Sequence, residues 1–80
     1  MKVNYYPDTD TLYIDLSNRP GADAVEVTTD LVVDVDAEGA PVGIEIEHAG
    51  EKIDLSRLEV EGLPGFASLT LQGHQQSKAR

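Results

Sequence analysis

Apolar residues recur at every second position through much of this 80-residue chain, and this alternation constrains the fold more than any other feature. A period of two places successive side chains on opposite faces of a β-strand. The pattern is clearest in residues 31–46, where a turn at residues 36–39 separates two apolar series: Leu31, Val33 and Val35, then Val42, Ile44 and Ile46. Gly39 suits this turn because glycine readily adopts a positive φ. The pattern predicts a β-hairpin with one apolar face and one polar face.

The residues before this hairpin predict three more strands. Residues 8–11 form a turn-rich tetrapeptide, and the apolar series on its two sides are Val3 and Tyr5, then Leu12, Ile14 and Leu16. This arrangement predicts a first hairpin. Residues 17–23 have the composition of a loop, and the alternation of Val25 and Val27 about Glu26 predicts a short strand after it.

The period changes after Glu47. In residues 48–58 the spacing of the apolar residues predicts a short helix or two helical turns, the second capped by Asp54 or Ser56. Residues 60–66 are predicted to cross an open face of the sheet as a lid, and residues 66–71 to form one more strand, either at an edge or exchanged with a partner. The fold class we expect is α+β: an antiparallel β-meander of about five strands with a short C-terminal helical segment covering one face. Residues 1–72 would form one domain and residues 73–80 a flexible polar tail.

Composition excludes several classes of protein. The chain has no cysteine, which rules out disulfides, a thiolate nucleophile and Cys-ligated metals. It also has no apolar run of about 18 residues, and its polar N-terminal segment is unlike a signal peptide, so we expect a cytoplasmic location and no membrane. The formal charge of −9 argues against nucleic acid as a partner and favours a basic protein. The small size of the chain, with no disulfide and no evident structural metal to stabilise it, also favours self-association as a homodimer.

Three segments together resemble one family of small bacterial and archaeal proteins. Residues 6–14 (YPDTDTLYI) are similar to the family's opening Y-D-P-x-x-D-x-L-Y-I signature. Residues 33–39 (VDVDAEG) and 42–46 (VGIEI) are similar to its D-x-D-x-x-G and V-G-I-E-I centre. The family is the domain of unknown function 2283 family, and the resemblance covers roughly residues 3–64. It implies a small β-rich fold with a C-terminal helix and no established activity, and it suggests an antitoxin-like role because some relatives are thought to accompany small toxin-like proteins.

The acidic residues of the second hairpin resemble a calcium loop in their spacing. Asp34, Asp36, Glu38, Gly39 and Glu45 take the first, third, fifth, sixth and twelfth positions of such a loop. A calcium loop is flanked by helices, whereas the segments on both sides here alternate as strands, which favours a plain acidic hairpin. A divalent-metal or small-ligand protein is the alternative hypothesis, with five candidate ligands: Asp34, Asp36, Glu38, Glu45 and His48.

Other candidate residues indicate binding in preference to catalysis. Asp8 and Asp10 are interpreted as turn formers. The sequence has no setting for a nucleophile and no carboxylate pair in a cleft, so we predict neither catalytic residues nor a cofactor.

Opposite the apolar residues, three side chains are candidates for a homodimer interface: Tyr6, Tyr13 and Val32. Four carboxylates form a candidate face for a basic partner: Asp34, Asp36, Glu45 and Glu47. The preferred hypothesis is a non-enzymatic acidic interaction module that self-associates and acts as an antitoxin toward a basic partner such as a toxin-like ribonuclease.

Overall fold

The computed structural model of the chain describes residues 1–65 and 68–72. The elements are β1 (Lys2–Tyr6), β2 (Thr11–Asp15), β3 (Asp23–Thr28), β4 (Leu31–Val35), β5 (Pro41–Ile46), α1 (Ala49–Lys52), β6 (Arg57–Glu61) and β7 (Ser68–Gln72). The first five strands form one sheet in the order β1-β2-β5-β4-β3, and β6 pairs with β7 as a separate two-stranded sheet. Every strand pairing is antiparallel.

Both predicted hairpins are present. In the first, β1 pairs with β2 so that Val3 lies opposite Ile14. In the second, β4 pairs with β5 so that Val33 lies opposite Ile44, and Gly39 takes a φ of 87° in the turn between them. The flanks of residues 36–39 are therefore strands, which is the geometry that the alternation predicts.

The predicted meander is wrong, because β5 lies between β2 and β4 instead of at an edge. The chain leaves β2 near the centre of the sheet and reaches β3 at the far edge before it returns through β4 and β5. Strand β5 carries Val42, one of the most buried side chains of the described residues, and both of its backbone edges are paired. Periodicity reports which face a residue occupies but not which strand it pairs with, so it does not reveal this order.

The predicted α+β class is also wrong, because the regular structure of the described residues is antiparallel β-strand apart from the single helical turn α1. The helix predicted over residues 48–58 stops at Lys52, where Ile53 turns extended with φ −126° and ψ 145°. Asp54 then accepts hydrogen bonds from the Ser56 N–H at 3.0 Å and the Ser56 hydroxyl at 2.5 Å. This local turn competes with continuation of the helix. Residues 57–61, which fall at the end of that helix and the start of the predicted lid, form β6.

The strand predicted over residues 66–71 overlaps β7, which spans Ser68–Gln72. Residues 66 and 67, and the tail predicted over residues 73–80, lie outside the described residues.

The interior of the molecule is small. Within the described residues, the buried side chains are Val42, Ala49 and Thr11. In this part of the chain, no second layer seals the five-stranded sheet completely, so both of its faces keep exposed surface.

Candidate functional site

Cross-strand register segregates the side chains of the five-stranded sheet into two unlike faces. Residues paired across antiparallel strands project to the same side. On one side the pairing aligns two rows, Tyr5, Leu12, Ile46 and Leu31, then Val3, Ile14, Ile44, Val33 and Val25. We call these rows the apolar face. None of its members carries a formal charge at pH 7.

The opposite side of the sheet carries carboxylates and is here called the acidic face. Its members are Tyr13, Asp15, Glu26, Val32, Asp34 and Glu45, which the register brings side by side on β2, β5, β4 and β3. Tyr6, opposite Thr11 at the end of β1, projects to the same side. The structure therefore brings Tyr6, Tyr13 and Val32 to the same side of the sheet as Asp34 and Glu45.

Tyr13 anchors the centre of the acidic face. Its ring lies over Gly43, where a Cβ atom would overlap the phenol, and its hydroxyl donates to Asp34 Oδ2 at 3.1 Å. Burial, and then the hydrogen bond to the Asp34 carboxylate, raise the pKa of the Tyr13 phenol above its ordinary value. Tyr13 therefore stays protonated and orients one carboxylate. Gly43 is missing from the candidate residues proposed above, although a glycine inside a strand often marks such a close approach.

A concavity of about 650 Å³ opens beside Tyr13, between the acidic face and the loop after β2. Its lining includes Asp15, Asp34 and, from the loop, Arg19. A cationic side chain entering it would meet carboxylate oxygens and the phenol ring.

Asp36 belongs to the hairpin turn and not to the acidic face. Its Oδ1 accepts the N–H groups of Glu38 and Ala40, both at 2.9 Å, and its Oδ2 pairs with Arg19 Nε at 2.8 Å. The backbone N–H of Ala40, then that of Glu38, and the Arg19 guanidinium hold the pKa of Asp36 below its ordinary value. Glu47 follows β5, and its backbone N–H donates to the Asp30 carbonyl at 2.8 Å. Of the four carboxylates proposed for a basic partner, the register thus brings Asp34 and Glu45 together on the acidic face.

The five candidate metal ligands do not form one group. Asp34 and Glu45 lie on the acidic face, Asp36 and Glu38 in the hairpin turn, and His48 beyond the other end of β5. Within residues 1–65 and 68–72, no cluster of three or more His, Asp or Glu side chains is arranged to hold a metal ion.

His48 is part of a small charge network with the β3–β4 turn. Its Nδ1 lies 3.0 Å from Asp30 Oδ1, and Lys52 Nζ lies 3.4 Å from the other oxygen of the same carboxylate. The hydrogen bond to Asp30 raises the pKa of His48, and the same bond, with that of Lys52, lowers the pKa of Asp30. His48 also takes a left-handed conformation with φ 55° at the start of α1. The network joins α1 to the sheet.

Asp10 links the first turn to α1, a role that the turn-former interpretation does not include. Its carbonyl accepts the Ala49 N–H at 2.9 Å, and its Oδ1 accepts the Gly50 N–H at 2.9 Å and the Tyr5 hydroxyl at 2.7 Å. No local sequence signal reveals the bonds to Ala49 and Gly50, because these residues are distant from Asp10 along the chain.

A family model for a protein of unknown function, DUF2283, matches residues 2–49, more than half of the chain. The five-stranded sheet that carries both faces lies within this segment, together with the beginning of α1. The chain belongs to the DUF2283 family. Neither the curated proteins nor the solved structures contain a match. In the described part of the chain, no helix has the length and apolar character needed to cross a membrane.

Proposed function

We propose that this chain is a non-enzymatic protein-interaction module whose acidic face binds a basic partner protein in the cytoplasm. The observation that carries the proposal is the segregation of carboxylates onto one side of the sheet, where Asp15, Glu26, Asp34 and Glu45 share a surface with Tyr13. A rigid sheet holds these groups at fixed spacing, and tyrosine is among the residues most enriched in binding surfaces.

The overall charge also supports a basic partner protein. A formal net charge of −9 attracts a basic protein over distances up to the Debye length, about 8 Å at physiological salt. Complementary charge mainly accelerates the encounter and selects the partner, while contacts at the centre of the interface hold the complex together. Tyr13 and Val32 supply apolar area at that centre.

The partner class that we favour is a small basic ribonuclease of the toxin type, which makes the module antitoxin-like. An enzyme that binds RNA carries Lys and Arg on the surface that contacts phosphates. Carboxylates on a flat sheet can occupy those cationic groups in place of phosphate, and arginine pairs with carboxylate through two parallel hydrogen bonds. Binding would therefore block the RNA site sterically and electrostatically.

We propose no catalytic role for the carboxylates. Acid–base catalysis by a carboxylate pair needs two different environments within a closed site. The acidic face is an open sheet surface on which Asp15, Asp34 and Glu45 are partly exposed and Glu26 is exposed, unlike such a closed site.

The first test is binding of a fluorescent peptide rich in Lys and Arg, followed by anisotropy at rising salt. We expect saturable binding that weakens with salt. The double variant Asp34→Asn/Glu45→Gln should weaken it by about tenfold, since two exposed charge pairs at about 0.7 kcal/mol each amount to about 1.4 kcal/mol. The matched control is Glu59→Gln/Glu61→Gln, which removes the same charge from the polar side of β6.

Equal loss in both double variants would show that net charge alone attracts the peptide, and would contradict a specific acidic face. For the partner class, the chain should protect cells from the product of a neighbouring reading frame that encodes a small basic ribonuclease. Loss of that protection in Asp34→Asn/Glu45→Gln, but not in the control, is the expected outcome.

A small-ligand function is the second candidate, and the concavity beside Tyr13 favours it. Its volume of about 650 Å³ falls in the range of small-molecule sites, and Asp15 and Asp34 in its lining favour a cationic compound. Thermal shift against a panel of polyamines tests it, because a ligand at a hundred times its Kd adds about 2.7 kcal/mol to stability. An unchanged Tm across the panel would rule this candidate out.

A further inference from the structure

The apolar face is open to solvent in the single chain. Val3, Tyr5 and Val25 expose 47%, 44% and 48% of their surface. The remaining six members are only partly covered, and none of the nine residues in the two rows is buried. A sheet with a continuous apolar face requires a second layer to remove that face from water.

The chain's own second sheet covers one end of this face. Ile53, Leu55, Leu58 and Leu71 border the β1–β2 end of the face, around a gap of about 320 Å³ that Val3 and Leu12 also line. These four side chains themselves remain 38% to 52% exposed. Toward β4, Lys52 and Ile53 line another gap, of about 230 Å³, with Leu31 and Ile46. A layer of two strands is narrower than a layer of five, and apolar surface stays open at the β3 edge, where Val25 is 48% exposed.

We propose that a second copy of the chain covers the apolar surface that β6 and β7 leave exposed, so that the two apolar faces meet in a symmetric homodimer. Charge opposes a second copy less at this face than at the acidic face. The chain has a formal charge of −9, so two copies repel each other wherever carboxylates meet, whereas the apolar face carries none. Face-to-face sheets pack about 10 Å apart, and the acidic faces then point outward on opposite sides, separated by more than the Debye length of about 8 Å.

The size of the exposed part of the face fits a weak dimer. Outside the β1–β2 end, three strands spaced about 4.8 Å apart, with five residues each rising about 3.3 Å, give a flat area on the order of 240 Å². Projecting side chains make the accessible area larger than the flat area, and the exposed leucines of the β6–β7 end add to it. The interface is smaller than the roughly 800 Å² per partner of a standard interface, so the dimer should dissociate on dilution.

The test is sedimentation equilibrium of the full chain over about a hundredfold range of concentration, because dimerisation depends on concentration. We expect twice the chain mass of 8.6 kDa, falling toward one chain on dilution. Val25→Ser should weaken the dimer by about tenfold or more, since each dimer loses two buried valines. The matched control is Ala24→Ser, one residue earlier on the same exposed edge strand but on the opposite side of the sheet.

A chain that stays monomeric at every concentration would overturn the proposal and assign the apolar face to a different protein. A dimer that Tyr13→Ser/Val32→Ser dissociates and Val25→Ser does not would also overturn it, in favour of the tyrosine side of the sheet. Far-UV circular dichroism must first show that Val25→Ser folds like the wild type. A second pair of variants, Val3→Ser with Asn4→Ser as its control, repeats the comparison on β1. Binding of the basic peptide is measured separately, so failure of the dimer leaves the proposed function unaffected.

Discussion

The carboxylate of Asp10 accepts the backbone N–H of Gly50, at 2.9 Å to one oxygen and 3.1 Å to the other, across 40 positions of sequence. The turn between β1 and β2 thereby caps α1, which begins at Ala49 and has no side-chain cap of its own from His48. A Cβ atom at residue 50 would stand 3.2 Å from the same carboxylate, so a larger residue there would require the carboxylate to shift by a few tenths of an ångström.

Asp10→Ala should reduce the free energy of unfolding by about 1 kcal/mol, the usual cost of removing a helix cap, with an added cost because residue 10 has a positive φ of 54°. Asp10→Asn should lose less, since asparagine keeps one acceptor oxygen and tolerates this conformation. Urea unfolding measures both, with Asp8→Ala in the same turn as the control. Equal stability of Asp10→Ala and the wild type would show that the cap contributes nothing.

Gly43→Ala should destabilise the protein by about 1 to 3 kcal/mol, the range for overpacking, because the new methyl group displaces the Tyr13 ring. Displacement also breaks the hydrogen bond from Tyr13 to Asp34. Tyr13→Ala in the Gly43→Ala background should cost much less than Tyr13→Ala alone. A double-mutant cycle by urea unfolding measures this coupling, and strictly additive effects would contradict the overlap of the two residues.

The His48–Asp30 pair should make stability depend on pH at both ends of a window. His48 has a raised pKa, so its contribution is complete below the ordinary histidine value of 6.5 and is lost as the pH rises through the folded value. Asp30 has a lowered pKa, so its contribution is present above the ordinary value of 3.8 and is lost as the pH falls through the folded value. The pair therefore stabilises the fold most between pH 3.8 and pH 6.5, the ordinary pKa values of Asp30 and His48.

His48→Asn should flatten the alkaline side of this profile, because asparagine tolerates the left-handed backbone at residue 48 but does not titrate. The pKa of His48 is measured directly by NMR titration of the ring, in the wild type and in Asp30→Asn. We expect a value above 6.5 that falls toward it in Asp30→Asn. A His48 pKa at or below 6.5 in the wild type would show that the ion pair does not form in solution.

Asp36→Ala should destabilise the second hairpin, because two backbone N–H groups lose their acceptor. Arg19→Ala should have a smaller effect, since its ion pair with Asp36 is exposed at the surface. Hydrogen exchange at the amides of Glu38 and Ala40 reports the loss locally. Unchanged protection of both amides in Asp36→Ala would contradict this role for the carboxylate.

The sequence predicts the local pairings of this fold well and the long-range ones poorly. Alternation in residues 31–46 is sufficient to predict the β4–β5 hairpin, because partner strands joined by a short turn meet by proximity. It does not indicate that β5 also pairs with β2, since that contact depends on which edges remain free after the hairpins form. Leu58 satisfies a helical spacing with Leu55 and a strand spacing with Val60. The turn in which Ser56 donates two hydrogen bonds to Asp54 favours the strand.

For the candidate site, too, the sequence predicts the local pattern but not the long-range arrangement. The opposite parity of Tyr13 and Leu12 predicts two unlike faces, and the register confirms that separation. The register also shows that Asp34 and Glu45 share a face whereas Asp36 caps a turn, which sequence spacing alone does not distinguish. The open state of the apolar face depends on how far β6 and β7 extend over it, a property of tertiary packing.

The central place of β5 also determines when the sheet can assemble during synthesis. The β1–β2 and β3–β4 hairpins are complete by residue 35, but β5 is the strand that joins them, and it ends at residue 46. A nascent chain that has not yet exposed residues 41–46 outside the ribosome holds two separate two-stranded ribbons, which are marginally stable on their own. Assembly is therefore expected in one late step, as β5 emerges.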